Sequence, residues 1–365
     1  MRCFFLVFVL LFALGWTERN CNNSPLLCSK PFDTVTYLGA HDSPFLRDAS
    51  TGFSSFGNQF FSTTTQLDAG VRLLSTQVHV GKNEKTGQRE LHVCHSSCSL
   101  FDAGPLKTWL VEVRRWMDAN PDEVVTLLLV NIHGVDAREL EGVYAEANLA
   151  HYGYVPPRVP ELSNATDPTW PRLEQMIDSG GRLVTFVNPL TPDEKNAPYL
   201  LDEMTFVWEN KYNVTEASDF SCTPDRPKGL TTKEAYESGR LFLMNHFLDF
   251  QQAFGIQTPD VAKITKTNGW EGTGALGTHF INCSNQVTRQ PTFVLVDFFN
   301  VGPAIQTVDI FNRVLEPIGR VHVTEEVLEG GAGVRKATSA GGRMETSVPE
   351  LVMATVLATA WIVIV

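Results

Sequence analysis

One stretch restricts the fold more than any other. From Val124 to Ile132 the chain is almost continuously apolar, with Val124, Val125, Leu127, Leu128, Leu129 and Val130 and no polar alternation. A strand with one face in water alternates. One that reads apolar throughout is buried on both faces, as in a parallel sheet covered by helices. An amphipathic helix precedes it, roughly Pro105 to Asn120, with Leu106, Leu110, Val111, Val113 and Met117 as its apolar stripe. Asn120, Pro121, Asp122 and Glu123 break that helix, and another is expected over 136–148.

The same alternation recurs along the chain. Thr34–Ala40, Val71–Val80, Arg182–Val187, Thr205–Trp208, Leu241–Phe247 and Phe293–Phe299 read as strands. Ser62–Gly70 reads as a short helix ending at a glycine cap, Gly81–Glu90 as a charged hairpin-like turn, and Thr258–Thr265 and Pro303–Leu315 as helices. Strands alternating with helices imply an α/β domain with a parallel sheet. No Pro/Gly-rich linker divides the chain before residue 329, so a closed barrel fits better than two doubly wound domains.

The ends read as targeting segments. Met1 and Arg2 precede the apolar run Cys3–Leu14, which makes 1–19 a signal peptide; an uncleaved anchor is the alternative. The barrel domain then spans 20–328 and a flexible stalk 329–341. Residues 342–365 hold a polar spacer and the apolar run Leu351–Val365. Small residues before a polar spacer and an apolar tail form a glycosylphosphatidylinositol (GPI) signal, with Ser339 or Ala340 as attachment site; a transmembrane helix is the alternative. This places the protein in the secretory pathway and at the cell surface, on the plasma membrane or the cell wall. Four sequons fit that route, at Asn22, Asn164, Asn213 and Asn282.

Six cysteines remain after Cys3: Cys21, Cys28, Cys94, Cys98, Cys222 and Cys283. An even set in an oxidising compartment points to disulfides, and six cysteines allow fifteen connectivities. Local loops favour Cys21–Cys28 and Cys94–Cys98, leaving Cys222–Cys283. A zinc site is the alternative at Cys94 and Cys98, which flank His95. The formal charge of −12 argues against a nucleic-acid partner and gives no attraction to anionic lipid.

The segment Tyr37–Ser43 is the candidate catalytic element. Gly39 and Ala40 are small, so a turn and close ligand approach are expected there, and the pair His41-Asp42 follows at a strand's carboxyl end, where barrels keep their chemistry. The bland reading is a capped turn with a surface histidine.

Six motifs carry this further: Leu38–Ser43, Gln66–Leu74, Cys94–Cys98, Trp116–Leu128, Asn245–Phe247 and Val296–Asn300. In this order and spacing the chain, over about residues 30 to 325, resembles the phosphatidylinositol-specific phospholipase C X-domain superfamily. It is most similar to the fungal branch of secreted or surface-anchored PLC-like phosphodiesterases. The resemblance implies an irregular (β/α) TIM-like barrel that is a monomer, and a lipid or glycan phosphodiester as substrate. It implies acid–base chemistry by two histidines: a base takes the proton of the inositol 2-hydroxyl, and an acid protonates the departing glycerol oxygen. His41 matches the base, His95 the acid, Asp297 the carboxylate orienting the base, and Asp42 its polar neighbour.

The sequence departs from that pattern at Ser75 and Gln77. Calcium-using members carry two acidic ligands there, and metal-independent members an Asp and an Arg. Calcium needs several carboxylate or carbonyl oxygens, so that ion site reads as dismantled and no cofactor is assigned, with calcium kept as the alternative; the substitute Arg is missing too. Arg72 is of the wrong strand parity to replace it, whereas His79 shares a face with Gln77 and Ser75. Gln77, His79 and Asn131 are therefore candidate substrate-binding residues, and His133 and His246 end other strands, with a hydrogen-bonded structural role favoured for His246. Two readings follow. One is a phosphoric diester hydrolase; the other is a catalytically silent surface protein that binds a phosphate- or inositol-containing ligand.

Overall fold

The computed structural model describes residues 19–157 and 170–324, all within one compact unit. The Asn164 sequon, Ser339, Ala340 and the expected signal, stalk and tail lie outside them. The strands, in chain order, are β1 (Tyr37–Ala40), β2 (Leu73–Lys82), β3 (Arg89–Cys94), β4 (Asp102–Pro105), β5 (Val125–Asn131), β6 (Leu183–Asn188), β7 (Leu200–Asp202), β8 (Val207–Asn210), β9 (Pro224–Arg226), β10 (Leu241–Asn245), β11 (Asp249–Gln251), β12 (Gln257–Pro259) and β13 (Phe293–Val296).

The main ladder runs β7-β6-β5-β2-β1-β13-β10-β8-β9, parallel from β7 to β8. It curls into a half-barrel. Leu73, Leu128, Phe186, Val207, Leu243, Phe293 and Leu295, drawn from six strands, fill one buried cluster inside. Their strand neighbours Leu74, Leu127, Leu129, Val187, Met244, Val294 and Val296 pack outward against Leu106, Leu110 and Leu140 of the covering helices. Alternate side chains enter two different cores, which is why β5 reads apolar on both faces.

The barrel differs from the closed one expected. Among the described residues no ladder pair joins β7 to β8. Between them Asp202 caps a helical turn, Glu203–Phe206, by accepting from Thr205 N at 3.0 Å. That turn also displaces the expected Thr205–Trp208 strand to Val207–Asn210. The expected helix Thr258–Thr265 divides into β12, a 3-10 turn and Ile264–Thr267, because Asp260 caps at Lys263 N. Helices Leu173–Ser179 and Leu276–Val287 escape periodicity reading. The first is two turns long, and the second buries Gly277, His279 and Cys283 among its apolar residues.

Helix Leu106–Ala119 buries Leu106, Leu110, Val113 and Met117 as expected, while Val111 is only half-buried. Trp109 and Trp116 join the buried face, their indole N–H groups donating to Thr63 Oγ1 and Asp68 Oδ1. At the amino-terminal end of the barrel Arg72 turns away from the mouth, in keeping with its parity. It pairs with Glu123 at 2.6 Å and donates to Asn23 and to the carbonyls of Leu67 and Val71.

The disulfides are Cys21–Cys28, Cys94–Cys98 and Cys222–Cys283, the pairing favoured by loop length. A sulfur so bonded is no thiolate ligand, which overturns zinc at Cys94 and Cys98. The Asn22 sequon is corrected too: the side chain is buried and its amide is closed on the Val124 backbone, donating to the carbonyl and accepting from the N–H. Asn213 and Asn282 are exposed.

Candidate active site

Three left-handed residues shape the site. Asp42, Ser96 and Phe298 have φ of 46°, 59° and 44°, and each directly follows one of His41, His95 and Asp297. Non-glycine residues hold this conformation only where neighbours impose it. Here Ser75 Oγ accepts from Asp42 N, Gln77 Oε1 from Ser96 N, and Asn58 O from Phe298 N. The chain thus turns sharply after each functional side chain. Gly39 serves a different purpose from the turn expected of it. It lies in extended β1, where an added Cβ would come within 2.8 Å of Leu73 and 2.9 Å of Leu295, so barrel packing demands it.

His41 is held on every side. Its Nδ1 lies 2.9 Å from Asp297 Oδ1, and its ring stacks on Phe247 at 3.8 Å. Asn58 Nδ2 donates to the same Asp297 oxygen, and Gln59 Nε2 ties the His41 carbonyl to that of Val296. These contacts set the tautomer: Nδ1–H faces Asp297, and Nε2 faces the mouth. His95 stands at the start of a loop closed by Cys94–Cys98, its ring edge-on to Phe45 and tilted against Phe56. The two Nε2 atoms meet at one carboxylate oxygen, Asp42 Oδ2, at 3.7 Å from His41 and 3.6 Å from His95. Gln77 Nε2 donates to that oxygen at 2.8 Å.

The two imidazoles are electrostatically unlike. Burial opposes a charge on His41, but the carboxylates of Asp42, Asp297 and Asp249 overcome it and raise its pKa to about 9. Burial dominates at His95 and lowers its pKa, with only partial relief from Asp42. Asp249 joins from β11, two residues beyond Phe247; burial and the nearby Asp297 carboxylate raise its pKa to about 7.

The other expected residues divide. Ser75 and Gln77 stand at the mouth, but Gln77 is a bridge from Asp42 to Ser96 with both amide ends occupied, a correction to its reading as a substrate ligand. Neither can supply the paired acidic ligands of a calcium site, so the residues present do not fit that ion. Asn131 is corrected likewise: fully buried, its amide donates to the carbonyls of Val135 and Pro189 and accepts from Val135 N. His79 packs edge-on to His133 at 5.2 Å, and its buried Nε2 has no hydrogen-bond partner among the described residues. His133 Nδ1 accepts from Val80 N. His246 is structural, bonded to His279 Nδ1 and Thr267 O in the interior.

Asn58, Phe247 and Asp249 were not singled out from sequence as site residues. Nor was the pair Glu209–Arg226 on β8 and β9, 2.7 Å apart, with Glu209 also held by Asn245. The loop end Asn58-Gln59 and the carboxylate two residues past Phe247 were the only signals available.

The chain is similar to known proteins. A family model described as PI-PLC X 1 matches residues 27–312. PI-PLC X domain-containing protein 1 of Arthroderma benhamiae is 34% identical over 287 residues, covering 78% of this chain and 87% of that protein. An uncharacterized secreted protein of the same organism is 32% identical; the match covers 78% of this chain and 61% of that protein. Among solved structures, phosphatidylinositol-specific phospholipase C from Listeria monocytogenes superposes with a TM-score of 0.49 at 16% identity, over 79% of this chain and 96% of that one. By the extent of the family match and the identity to its relatives, the chain belongs to the PI-PLC X-domain family.

Proposed function

We propose that the protein is a phosphoric diester hydrolase that cleaves an inositol-containing lipid or glycan phosphodiester. The observation that carries this is the convergence of two imidazole Nε2 atoms on Asp42 Oδ2, with Asp297 on the Nδ1 side of His41. His41 Nε2, when neutral, takes the proton of a polyol hydroxyl next to the phosphate. That oxygen attacks phosphorus, the bond to the departing alcohol breaks, and His95 gives its proton to the leaving oxygen. A cyclic phosphodiester and a free alcohol result. For ring opening the roles reverse: neutral His95 activates water, and cationic His41 returns its proton to the polyol oxygen. Asp297 keeps the tautomer and stabilises the cation, and Asp42 stands between the two imidazoles.

Incubation of the secreted protein with phosphatidylinositol and with a chromogenic inositol phosphodiester tests this, with and without calcium. Turnover no greater than that of His41→Ala would refute it. The second reading, a silent binder of the same ligands, is favoured by the neutral bridge at Ser75 and Gln77. It expects saturable inositol phosphate binding that survives His41→Ala. Secretion, a GPI anchor at Ser339 or Ala340, and glycans at the exposed Asn213 and Asn282 complete the proposal; mass spectrometry of the purified protein reads all three.

A further inference from the structure

The loop that carries His95 has a second fastening besides its disulfide. Residues 95–101 join β3 to β4, a four-residue strand that among the described residues pairs with β3 alone. The pairing is irregular. Cys94 stands opposite Asp102 and His92 opposite Pro105, so β4 holds one residue more than β3 between the same two rungs. Gly104 takes up the excess with φ of 99°, a left-handed form that costs glycine little. A short edge strand with an extra residue has more than one register open to it, and a slip of one residue would turn its side chains over.

His92 selects one of them. Its ring is buried and lies over Gly81, where an added Cβ would come within 2.8 Å of it. Its Nε2 is 3.4 Å from Glu90 Oε2, and Asn83 Nδ2 donates to both Glu90 oxygens. The imidazole is thus fixed from the β2–β3 hairpin before it meets β4. Its Nδ1 lies 2.9 and 3.1 Å from the two oxygens of Asp102, and Gly104 N donates to Asp102 Oδ1 at 2.7 Å. One carboxylate therefore closes the bulge on itself and ties it to β3. The consequence reaches His95 in one step. His95 N donates at 2.9 Å to Phe101 O, the carbonyl that leads into Asp102, and Phe101 packs on Phe45, the ring that meets His95 edge-on. A shift of β4 would move both supports of the His95 imidazole.

We propose that His92 and Asp102 are positioning residues for His95, locking the β3–β4 register that brings its Nε2 to Asp42 Oδ2. The role rests on the two-histidine hydrolysis proposed above, so one arm of the test needs no turnover. The secreted protein and its variants Asp102→Ala, Asp102→Asn, His92→Gln and His92→Gln/Asp102→Ala are assayed on a chromogenic inositol phosphodiester and by nitrogen-15 NMR of the imidazoles. Asp102→Ala is expected to lower kcat about tenfold or more, with KM within about twofold. Asp102→Asn keeps an oxygen for the Gly104 and His92 donors and should regain most of that loss. The double variant should be no worse than the worse single one, since both break the same tie. The His95 signal should move in Asp102→Ala and in His92→Gln while that of His41 stays. A kcat unchanged from an active wild type, Asn no better than Ala, additive losses, or equal displacement of both histidines would overturn the proposal. Circular dichroism verifies folding; should His92→Gln unfold, the Asp102 pair decides alone, its side chain being partly exposed. Absence of wild-type turnover would sink the hydrolysis and leave the His95 signal to decide the fastening. Wild-type turnover with a His95 signal unmoved by Asp102→Ala would sink the fastening alone.

Discussion

At pH 7 the free protein is expected to hold its proton on the wrong histidine for a first catalytic step. The rise of His41 from 6.5 to about 9 corresponds to about 3 kcal/mol favouring the cation, so about 1% of molecules carry it neutral at pH 7. His95 shifts the other way. With the His41 pKa raised to about 9 and the His95 pKa lowered by burial, the competent state, neutral His41 with protonated His95, is a small minority at neutral pH. A rate profile alone cannot assign the two groups, because either assignment gives the same bell. Nitrogen-15 NMR of the imidazoles can. Titration of His41 near 9 is expected, falling in Asp297→Asn and by less in Asp249→Asn, since Asp297 also hydrogen-bonds the ring. Lowering the His41 pKa enlarges the competent fraction, so Asp249→Asn should raise kcat/KM near neutrality several-fold, although a weaker base returns part of that gain. The sign for stability follows: the raised His41 pKa stabilises the fold fully below pH 6.5, and the contribution disappears as pH rises through 9. His41 titrating at or below 6.5, or unmoved by both substitutions, would refute the reasoning.

Three further outcomes are expected. Burial lowers His246 to about 3 and His279 to about 4, so both are neutral in the fold. The stability this gives is present above pH 6.5 and is lost as pH falls toward 4, by about 3 kcal/mol at His279; urea melts of wild type and His279→Gln across pH 4 to 7 should show the variant less pH-dependent. Arg72→Met strands the buried Glu123 carboxylate and should cost about 3–5 kcal/mol, read as a lowered thermal midpoint with no direct contact to the mouth altered. Cys94→Ser/Cys98→Ser should remove about 2 kcal/mol of stability and disproportionately lower kcat, since the released loop carries His95; an unchanged kcat would contradict that role.

The barrel was legible because its strands obey parity: Leu73, Ser75 and Gln77 share one face, and Leu74 lies on the other. His41, His95 and Asp297 were legible because they sit at strand ends in a recognisable order. What holds them was not. Asn58 reaches Asp297 from the far end of a loop, Phe247 supplies a stacking face rather than a charge, and Asp249 is significant only because three other charged groups surround it. None of these leaves a period in the sequence. Asn131 misled for the converse reason: an amide at a strand end looks free in one dimension, and here it closes the turn to Val135.

Gln77 joins these two levels. An acidic group or an arginine at its position would put a fixed ion, or a fixed positive charge, beside the phosphate. The amide instead stabilises Asp42 on one side and the His95 loop on the other, without adding charge. Three carboxylates then act on His41, whose cation is the compensating charge among them. That proton has two incompatible uses. Kept on His41, it offsets the charge of an incoming phosphodiester and favours binding; given up, it frees His41 to act as base but leaves the phosphate facing uncompensated carboxylates. Under the proposed hydrolysis, binding and turnover therefore call for opposite states of one imidazole.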